Sequence, residues 1–270
     1  MWHLVARTVR GRLLAADNHQ AGEVWGLLRR VVPGTEAMCV MPDHVHVVVP
    51  SDGRRPLAAA LSGLARSRNA REDRRGALFR PLPDAQPVQD QQKLRRLIRY
   101  IHLNPNRAGL ANDPLEWPWS THRDAVGLVW RGVGPRRRSG FHAYVSSDPH
   151  CDIAGTELPG GALGAKDPLD VVIAVSNVLR VPMERLGRHA LGRSLVWEAC
   201  CELCPVTTER VAGLLGVSGR TMRRRRAVPA ELKALVQRVL LDDRFGPIDG
   251  RSLLGLPGWA RYRRAVQPWR

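Results

Sequence analysis

Residues 36–50, EAMCVMPDHVHVVVP, constrain the fold of this chain more than any other segment. They form two short apolar runs separated by a Pro-Asp pair, which is typical of a turn between strands. Because side chains alternate along a strand, His44 and His46 share one face of the second run and the intervening valines occupy the other. The segment predicts two strands, the second of which carries two neighbouring imidazoles. Such a pair is either a metal-binding edge of a sheet or two packed histidines.

The apolar periodicity of residues 1–110 predicts the elements around these two strands. We expect a strand over residues 2–9, helices over 19–32, 56–73 and from 91 to Pro105, and a weaker strand near 84–89. Proline ends the last helix because it disfavours helical geometry in the residue before it. The order β-α-β-β-α-(β)-α predicts an α+β, ferredoxin-like fold, in which a small antiparallel sheet has helices on one face.

The chain as a whole is predicted to contain two domains. Residues 1–128 form the first, residues 129–168 are a Gly/Pro-rich linker, residues 169–246 are a helical domain, and residues 247–270 are a loosely ordered basic tail. Within the linker, residues 141–145 (FHAYV) are apolar enough to pack back onto the first domain.

Charge is the strongest signal in the composition. The chain has 42 Lys+Arg against 25 Asp+Glu, a net charge of +17. Such a surface attracts polyanions, with nucleic acid as the first expectation and an anionic membrane as the second. No apolar run approaches the roughly 18–20 residues needed to span a bilayer, and residues 1–17 do not resemble a secretion signal, so we expect a cytoplasmic protein.

The five cysteines do not indicate a disulfide framework, because their number is odd and three of them lie together in the motif CCELC. Further ligands at the spacing of a zinc finger are missing around this motif. Structural thiols on an apolar helix face are therefore the favoured interpretation.

A second motif, RYIHLNPNRAGL at residues 99–110, changes the interpretation of the histidine pair. Tyr100 and Asn104 are four residues apart, so on a helix they lie on one face, one turn from each other. This spacing pairs a nucleophile with an amide ligand. His102 points elsewhere on the helix and is expected to be structural.

Together, MPDHVHVVV, YIHLNPNRAGL and the following WPWSTHRD (117–124) resemble the HUH-type single-strand endonucleases, and among them the single-tyrosine REP-associated tyrosine transposases. The resemblance covers residues 1–128. It implies that His44 and His46 hold a divalent metal, that Tyr100 is the nucleophile, and that Asn104 completes the metal site. Two segments depart from the family pattern: LFRPLPDAQPVQD (78–90), which places the fourth strand in doubt, and Asn106, where an apolar residue is usual.

The chemistry of these residue types agrees with that resemblance. A tyrosine hydroxyl ordinarily ionises near pH 10, so its attack on a phosphodiester at neutral pH needs a metal that polarises and orients the phosphate. Two imidazoles and an amide suit Mg²⁺ or Mn²⁺ better than a closed structural zinc site. The expected product is a 5′-phosphotyrosine link with a free 3′-OH, which needs no ATP.

Several side chains are predicted to contact DNA or to close the first domain. Phosphate contacts are expected of Arg95, Arg96 and Arg99 on the third helix and of Arg66, Arg68, Arg71, Arg74 and Arg75 around the second, although a solvated arginine face would explain them equally well. Trp117 and Trp119 could stack on unpaired bases, but we favour them as core residues.

Residues 206–226, VTTERVAGLLGVSGRTMRRRR, predict a helix-turn-helix. Gly216 begins the turn, and Ser218 caps a second helix that carries Arg220, Thr221, Arg223 and Arg224 toward duplex DNA. An ordinary helical hairpin with a basic face is the alternative. With the preceding helices, the segment resembles the C-terminal DNA-binding domain of the bacterial replication initiator.

The sequence thus favours a metal-dependent single-strand DNA endonuclease and strand transferase, in the manner of a transposase, with DNA as its partner, no membrane association, and a monomeric or homodimeric state. Two alternatives stay open. One is a non-catalytic DNA-binding regulator with the same fold, and the other is a metallohydrolase that acts on RNA or nucleotides.

Overall fold

The computed structural model describes residues 1–10, 12–137, 140–153, 155–161, 163–256, 258–260 and 262. The chain divides into two compact units. The first contains Met1–Val126, Val133–Thr156 and the described part of Arg251–Arg270, and the second contains Gly127–Gly132 and Glu157–Gly250. The second unit therefore lies, in sequence, inside the first.

The first unit is built on a four-stranded antiparallel sheet. Its strands are β1 (Trp2–Arg7), β2 (Ala37–Val40), β3 (His44–Val49) and the very short β4 (Gln86–Pro87). They lie in the order β2-β3-β1-β4, with β1 and β3 paired along their whole length. With helices α1 (Asn18–Val31) and α2 (Arg54–Arg71) between the strands, this is the ferredoxin-like arrangement. The predicted α+β fold and its weak fourth strand are confirmed.

The two faces of the sheet differ in chemistry. Leu4 pairs with Val47 and Ala6 with Val45, so one face is aliphatic, and α2 packs beside Ala6. The opposite face carries His44 and His46 in β3. The helix α3 (Gln91–His102) packs against β2 and brings Tyr100 to this histidine face. The sheet thus separates a purely structural layer from a polar one.

Pro105 does not end the helical path where the sequence indicated. The helix α3 ends at His102, Leu103 keeps helical dihedral angles, and a further turn, α4 (Asn104–Arg107), has the proline in its first positions. Proline is tolerated there because the first N–H groups of a helical turn need no partner within it. Asn104 therefore follows Tyr100 by one turn, as the spacing predicted.

Residues expected to belong to the linker and the tail contribute to the first unit. The helix α6 (Phe141–Ser146) of the predicted linker buries His142 completely, as α5 (His122–Ala125), near the end of the predicted first domain, buries His122. A short 3-10 helix, Leu253–Gly255, and the buried Tyr262 also belong to this unit, so the described part of residues 251–262 is not loosely ordered. Residues 257, 261 and 263–270 of the predicted tail lie outside the described residues.

The second unit is helical throughout its described residues. It contains α7 (Pro168–Leu179), α8 (Met183–Leu186), α9 (Ala190–Leu203), α10 (Thr208–Leu214), α11 (Gly219–Arg223) and α12 (Ala230–Val239). The core forms where α7 packs against α9 and α12. Burial raises the pKa of the Cys200 thiol in α9 to about 12, as in an unreactive interior cysteine. No helix of the described chain is long and apolar enough to cross a membrane.

Candidate functional site

The two histidines of β3 lie side by side in the interior of the first unit. His44 is 4% exposed and His46 is 3% exposed, and their ring centroids are 4.9 Å apart. They share a face because they are two residues apart on one strand. Buried histidines need partners for both ring nitrogens, so the hydrogen bonds around them decide what they can do.

One nitrogen of His44 is held by a carboxylate. Its Nδ1 lies 2.6 Å from Asp43 Oδ1, and a carboxylate can only accept, so Nδ1 carries the proton. When the ring is neutral, its lone pair is then on Nε2. A carboxylate that orients an imidazole in this way is the usual support of a metal-binding histidine.

One nitrogen of His46 is held by another histidine. Its Nδ1 lies 3.0 Å from His3 Nε2, and the two rings are stacked with centroids 5.3 Å apart. The His3 ring also forms a hydrogen bond with Gln86. If His3 donates a hydrogen bond to Gln86, its Nε2 is free to accept one from the Nδ1–H of His46. The lone pair of His46 is then on Nε2. This Nε2 atom is buried and has no hydrogen-bond partner.

The surroundings of His46 oppose its protonation. Burial lowers the pKa of His46 to about 2, and smaller electrostatic contributions from His44, His3 and Arg7 act in the same direction. The imidazole is therefore neutral at physiological pH, which is the form that binds metal ions.

The nucleophile predicted from the sequence lies beside this pair. Asp90 caps α3 by accepting from Gln92 N, and Leu94, Ile98 and Ile101 bury one side of the helix. Tyr100 remains 37% exposed, and its ring centroid is 5.7 Å from that of His46. The guanidinium of Arg107 lies over the Tyr100 ring, 5.1 Å from its centroid.

Asn104, one helical turn after Tyr100, is the third residue predicted for the metal site. It is 8% exposed, and its Nδ2 atom is buried without a hydrogen-bond partner. Amide nitrogen and oxygen are interchangeable by rotation of the side chain, so the same position can present an oxygen. Buried polar atoms without partners are costly, and here two of them, on His46 and Asn104, belong to residues predicted to share a metal.

The residues present fit a divalent metal. The donor set is two imidazoles and an amide, and each histidine has its other ring nitrogen held by a supporting residue. Among the described residues, no group of three or more His, Cys, Asp or Glu side chains could hold a metal ion, so the amide of Asn104 is essential to this set.

Asp43 has a second partner that the sequence did not indicate. The hydroxyl of Tyr262 donates to Asp43 Oδ1, and burial raises the pKa of this tyrosine further above its usual range. Asp43 itself keeps a lowered pKa: burial raises it, but the hydrogen bonds and charge of its neighbours, chiefly His44, more than offset this. No local pattern pairs residue 43 with residue 262, so the contact appears only in the folded chain.

His102 has the structural role expected of it. It is 1% exposed, its Nε2 lies 3.0 Å from Thr121 Oγ1 and its Nδ1 lies 3.3 Å from His122 Nδ1. His122 continues to His142, with 2.9 Å between Nε2 and Nδ1. This buried histidine chain, defined as His102, His122 and His142, ties α3 to α5 and α6. The predicted core residues Trp117 and Trp119 are buried as well.

The predicted phosphate contacts of the first unit separate into two groups. Arg95 and Arg96 are exposed on α3. Arg99 is not a solvated side chain: it is 18% exposed and its Nε lies 3.1 Å from Asp148. Arg68 is 3% exposed and donates to the carbonyl of Leu14, so its expected place on the surface was wrong.

In the second unit, the described geometry places two short helices at the predicted helix-turn-helix. Thr207 caps α10 and Ser218 caps α11, each by accepting from a backbone N–H three residues later. Gly216 has a φ of 60°, a left-handed conformation that favours glycine. Arg220 and Arg223 are exposed on α11, whereas Arg224 lies at its C-cap and not within the helix as expected.

The fold and the site together define an α+β protein of ferredoxin-like topology in which a buried histidine pair faces an exposed tyrosine. No family model matches this chain, and no curated protein sequence matches it. Among solved structures, it is similar to a REP-associated tyrosine transposase bound to a REP hairpin, with 19% identity over 52% of this chain and 84% of that chain and a TM-score of 0.39. With so low a TM-score, any assignment of function must come from the side chains of the site.

Proposed function

We propose that the first unit is a metal-dependent single-strand DNA endonuclease and strand transferase with Tyr100 as its nucleophile. The observation that carries the proposal is the pair of buried, unpartnered polar atoms on His46 and Asn104, beside a tyrosine that is exposed to an incoming strand. The net charge of +17 agrees with a polyanionic substrate.

His44, His46 and Asn104 would hold a Mg²⁺ or Mn²⁺ ion. When bound, the ion would polarise the phosphate and favour in-line displacement. The chain's own part is to fix the ligands in advance: Asp43 orients His44, and His3 orients His46. Ligands that are oriented before binding need no rearrangement when the phosphate arrives.

Tyr100 would form the covalent link. Its hydroxyl oxygen bonds to phosphorus, the bond from phosphorus to the 3′ oxygen breaks, and the proton lost by the tyrosine is balanced by the one that the 3′ oxygen gains. The products are a 5′-phosphotyrosine and a free 3′-OH. Arg107, over the tyrosine ring, restrains the orientation of that ring and adds positive charge next to the reacting phosphate.

The second unit would bind duplex DNA through its helix-turn-helix. Arg220, Thr221 and Arg223 on α11, followed by the exposed arginines 224–226, form its basic surface. Arg225 is stacked on Trp197, with its guanidinium 4.5 Å from the ring, so part of this surface is fixed in place. Such a surface would supply affinity for phosphates and for base edges in the major groove.

Covalent capture tests the proposed chemistry. Full-length protein is incubated with 5′- and 3′-labelled DNA hairpins that carry single-stranded flanks, with Mn²⁺ or with chelator, and denatured. We expect an adduct that forms only with Mn²⁺. It should retain the 3′ label and not the 5′ label, because the fragment that keeps the 5′ phosphate is the one that ends at the 3′ label. Tyr100→Phe should remove it, and Tyr144→Phe, which alters another exposed tyrosine, should retain it.

Other outcomes would contradict the proposal. An adduct in Tyr100→Phe would exclude this nucleophile. If the protein binds the hairpins but forms no adduct with any of them, it is a DNA-binding regulator and not an enzyme. The helix-turn-helix is tested by Arg220→Ala/Arg223→Ala, which should weaken duplex binding about tenfold while the yield of adduct from an unpaired strand is unchanged.

A further inference from the structure

A second exposed tyrosine lies in the same unit as the nucleophile. Among the large apolar side chains of the described residues, the two well-exposed aromatic ones are Tyr100 and Tyr144, each 37% exposed. Trp117 and Trp119, by contrast, are buried. Tyr144 lies on α6, in the segment expected to be a linker, and the proposed chemistry does not use it.

An ion-pair cluster links the two tyrosines. The guanidinium of Arg99 lies 5.0 Å from the centroid of the Tyr144 ring, just as that of Arg107 lies 5.1 Å from Tyr100. Both arginines contact the same oxygen, Asp148 Oδ2, each at 3.1 Å. A single carboxylate therefore positions a cation against each of the two rings.

Asp148 is held firmly enough to act as this anchor. It is 8% exposed, and its other oxygen, Oδ1, accepts from His150 N at 3.0 Å. Burial raises its pKa, but the hydrogen bond from His150 N and the charges of Arg99 and Arg107 more than compensate, so the carboxyl stays ionised. With a fixed anion between them, the two guanidiniums have little freedom to move.

This arrangement is suited to unpaired nucleic acid. Proteins bind single strands by combining positive charge for the backbone with exposed aromatic rings on which bases stack. A tyrosine with a guanidinium already packed against it has lost most of its rotational freedom, so a base that stacks on it costs little additional ordering. A tyrosine that served only to close the core would be buried, whereas more than a third of Tyr144 is exposed.

We propose that Tyr144, fixed by Arg99 and Asp148, is a stacking site for an unpaired nucleobase of the strand whose phosphate reaches Tyr100. The ligand class is single-stranded DNA, an assignment that rests on the proposed function. Tyr144 supplies the apolar face, Arg107 and Tyr100 lie toward the reacting phosphate, and the site accepts any base because every base has an aromatic face.

Binding to two matched strands tests the proposal without any need for cleavage. The probes are fluorescein-labelled oligothymidylate and a strand of equal length made of abasic units, measured by anisotropy with full-length protein in chelator. Wild-type protein should bind oligothymidylate more tightly. Tyr144→Leu, which keeps an apolar side chain but removes the ring, should lose roughly tenfold on oligothymidylate and less than twofold on the abasic strand.

Further variants separate stacking from other effects. Tyr144→Phe and Tyr144→Trp should retain the preference for bases, since both keep a ring. Trp130→Leu removes the ring of another arginine-aromatic pair, in the second unit, and should leave the preference unchanged. Arg99→Ala should weaken binding of both strands, because it removes positive charge as well as the support of the ring.

The outcomes distinguish this proposal from the proposed chemistry. An equal loss on the two strands in Tyr144→Leu, or no loss on either, would overturn the stacking site, and so would a matching loss in Trp130→Leu. If the base preference depends on Tyr144 but no hairpin gives an adduct, the stacking site stands and the nuclease fails. If adducts form and Tyr144→Leu binds both strands normally, the nuclease stands and the stacking site fails.

Discussion

The first unit contains two groups of histidines, and they differ in how well their hydrogen bonds are satisfied. In the buried histidine chain, His102, His122 and His142 bond to one another and to Thr121. In the group around β3, His3 and Asp43 support the pair, but His46 Nε2 has no partner. Both groups are buried, so burial alone does not distinguish a core from a binding site.

The hydrogen bonds of a buried histidine therefore indicate whether it has a structural role or belongs to a binding site. A buried histidine that is fully bonded contributes to stability, and changing it leaves its partners unsatisfied. A buried histidine with an open nitrogen costs stability in the absence of a ligand, and a protein retains such a cost at sites that bind something. The two groups should therefore respond in opposite ways to substitution and to added metal.

The largest expected effect is the loss of the metal response in His46→Ala. Mn²⁺ at about 1,000 times its dissociation constant should raise the free energy of unfolding of the wild-type protein by about 4.1 kcal/mol. His46→Ala should show no such increase, because it removes a ligand whose open nitrogen faces the site. Urea denaturation with and without Mn²⁺ measures this, and an undiminished response in the variant would place the metal elsewhere.

His102→Ala should have the opposite profile. It should lower the free energy of unfolding by roughly 2–4 kcal/mol, because it leaves a cavity and removes a partner from both Thr121 and His122. The stabilisation by Mn²⁺ should persist. The same urea titrations provide the measurement. If the variant keeps its stability but loses the metal response, His102 belongs to the metal site and the distinction between the two groups is wrong.

Asp43→Asn should produce a smaller change confined to the metal. The carboxylate orients His44 through Nδ1, and removal of such a support typically weakens metal binding about tenfold. Asp113→Asn is the matched control, because Asp113 lies 3.9 Å from His142 in the other group. Calorimetric titration with Mn²⁺ should show weaker binding only for Asp43→Asn, and equal affinities would remove Asp43 from the supporting role.

The last prediction concerns the pH dependence of stability, where the expected effect at neutral pH is the smallest of the four. Burial lowers the pKa of His102 to about 3, against about 6.5 in the unfolded chain. The unfolded state therefore binds more protons between these values, so the stability contributed is complete above about pH 6.5 and is lost as the pH falls toward 3. His102→Gln should reduce the slope below pH 6 by up to about 1.4 kcal/mol per pH unit, measured by urea denaturation, and an unchanged slope would contradict the burial effect.

Much of the first unit was predictable because its signals are local. Alternation in β1 and β3 and the helical period of α1 to α3 identified the elements and their order. The common face of His44 and His46, and the one-turn spacing of Tyr100 and Asn104, followed from strand and helix geometry. That Tyr100 lies beside the histidine pair followed from neither periodicity and was expected only from the family resemblance.

The remaining features depend on contacts between distant residues. Nothing near His46 in sequence indicates that His3 stacks on it, since the contact follows from the register of β1 on β3. Asp148 and Tyr144 lie in a stretch whose glycines and prolines resemble a linker, and only its packing reveals the bound arginines. Arg68 was expected on the surface because arginine is hydrophilic. In the folded chain it is buried, as are Leu57 and Leu61 of the same helix.

The contact between Asp43 and Tyr262 joins residues 219 positions apart, and the whole second unit is synthesised between them. At 5–20 residues per second, a ribosome needs about 10–45 s to make that stretch. During this interval the histidine strand has already left the ribosome, while the tyrosine that donates to Asp43 does not yet exist. This hydrogen bond of the first unit can therefore form only after the whole second unit has been synthesised.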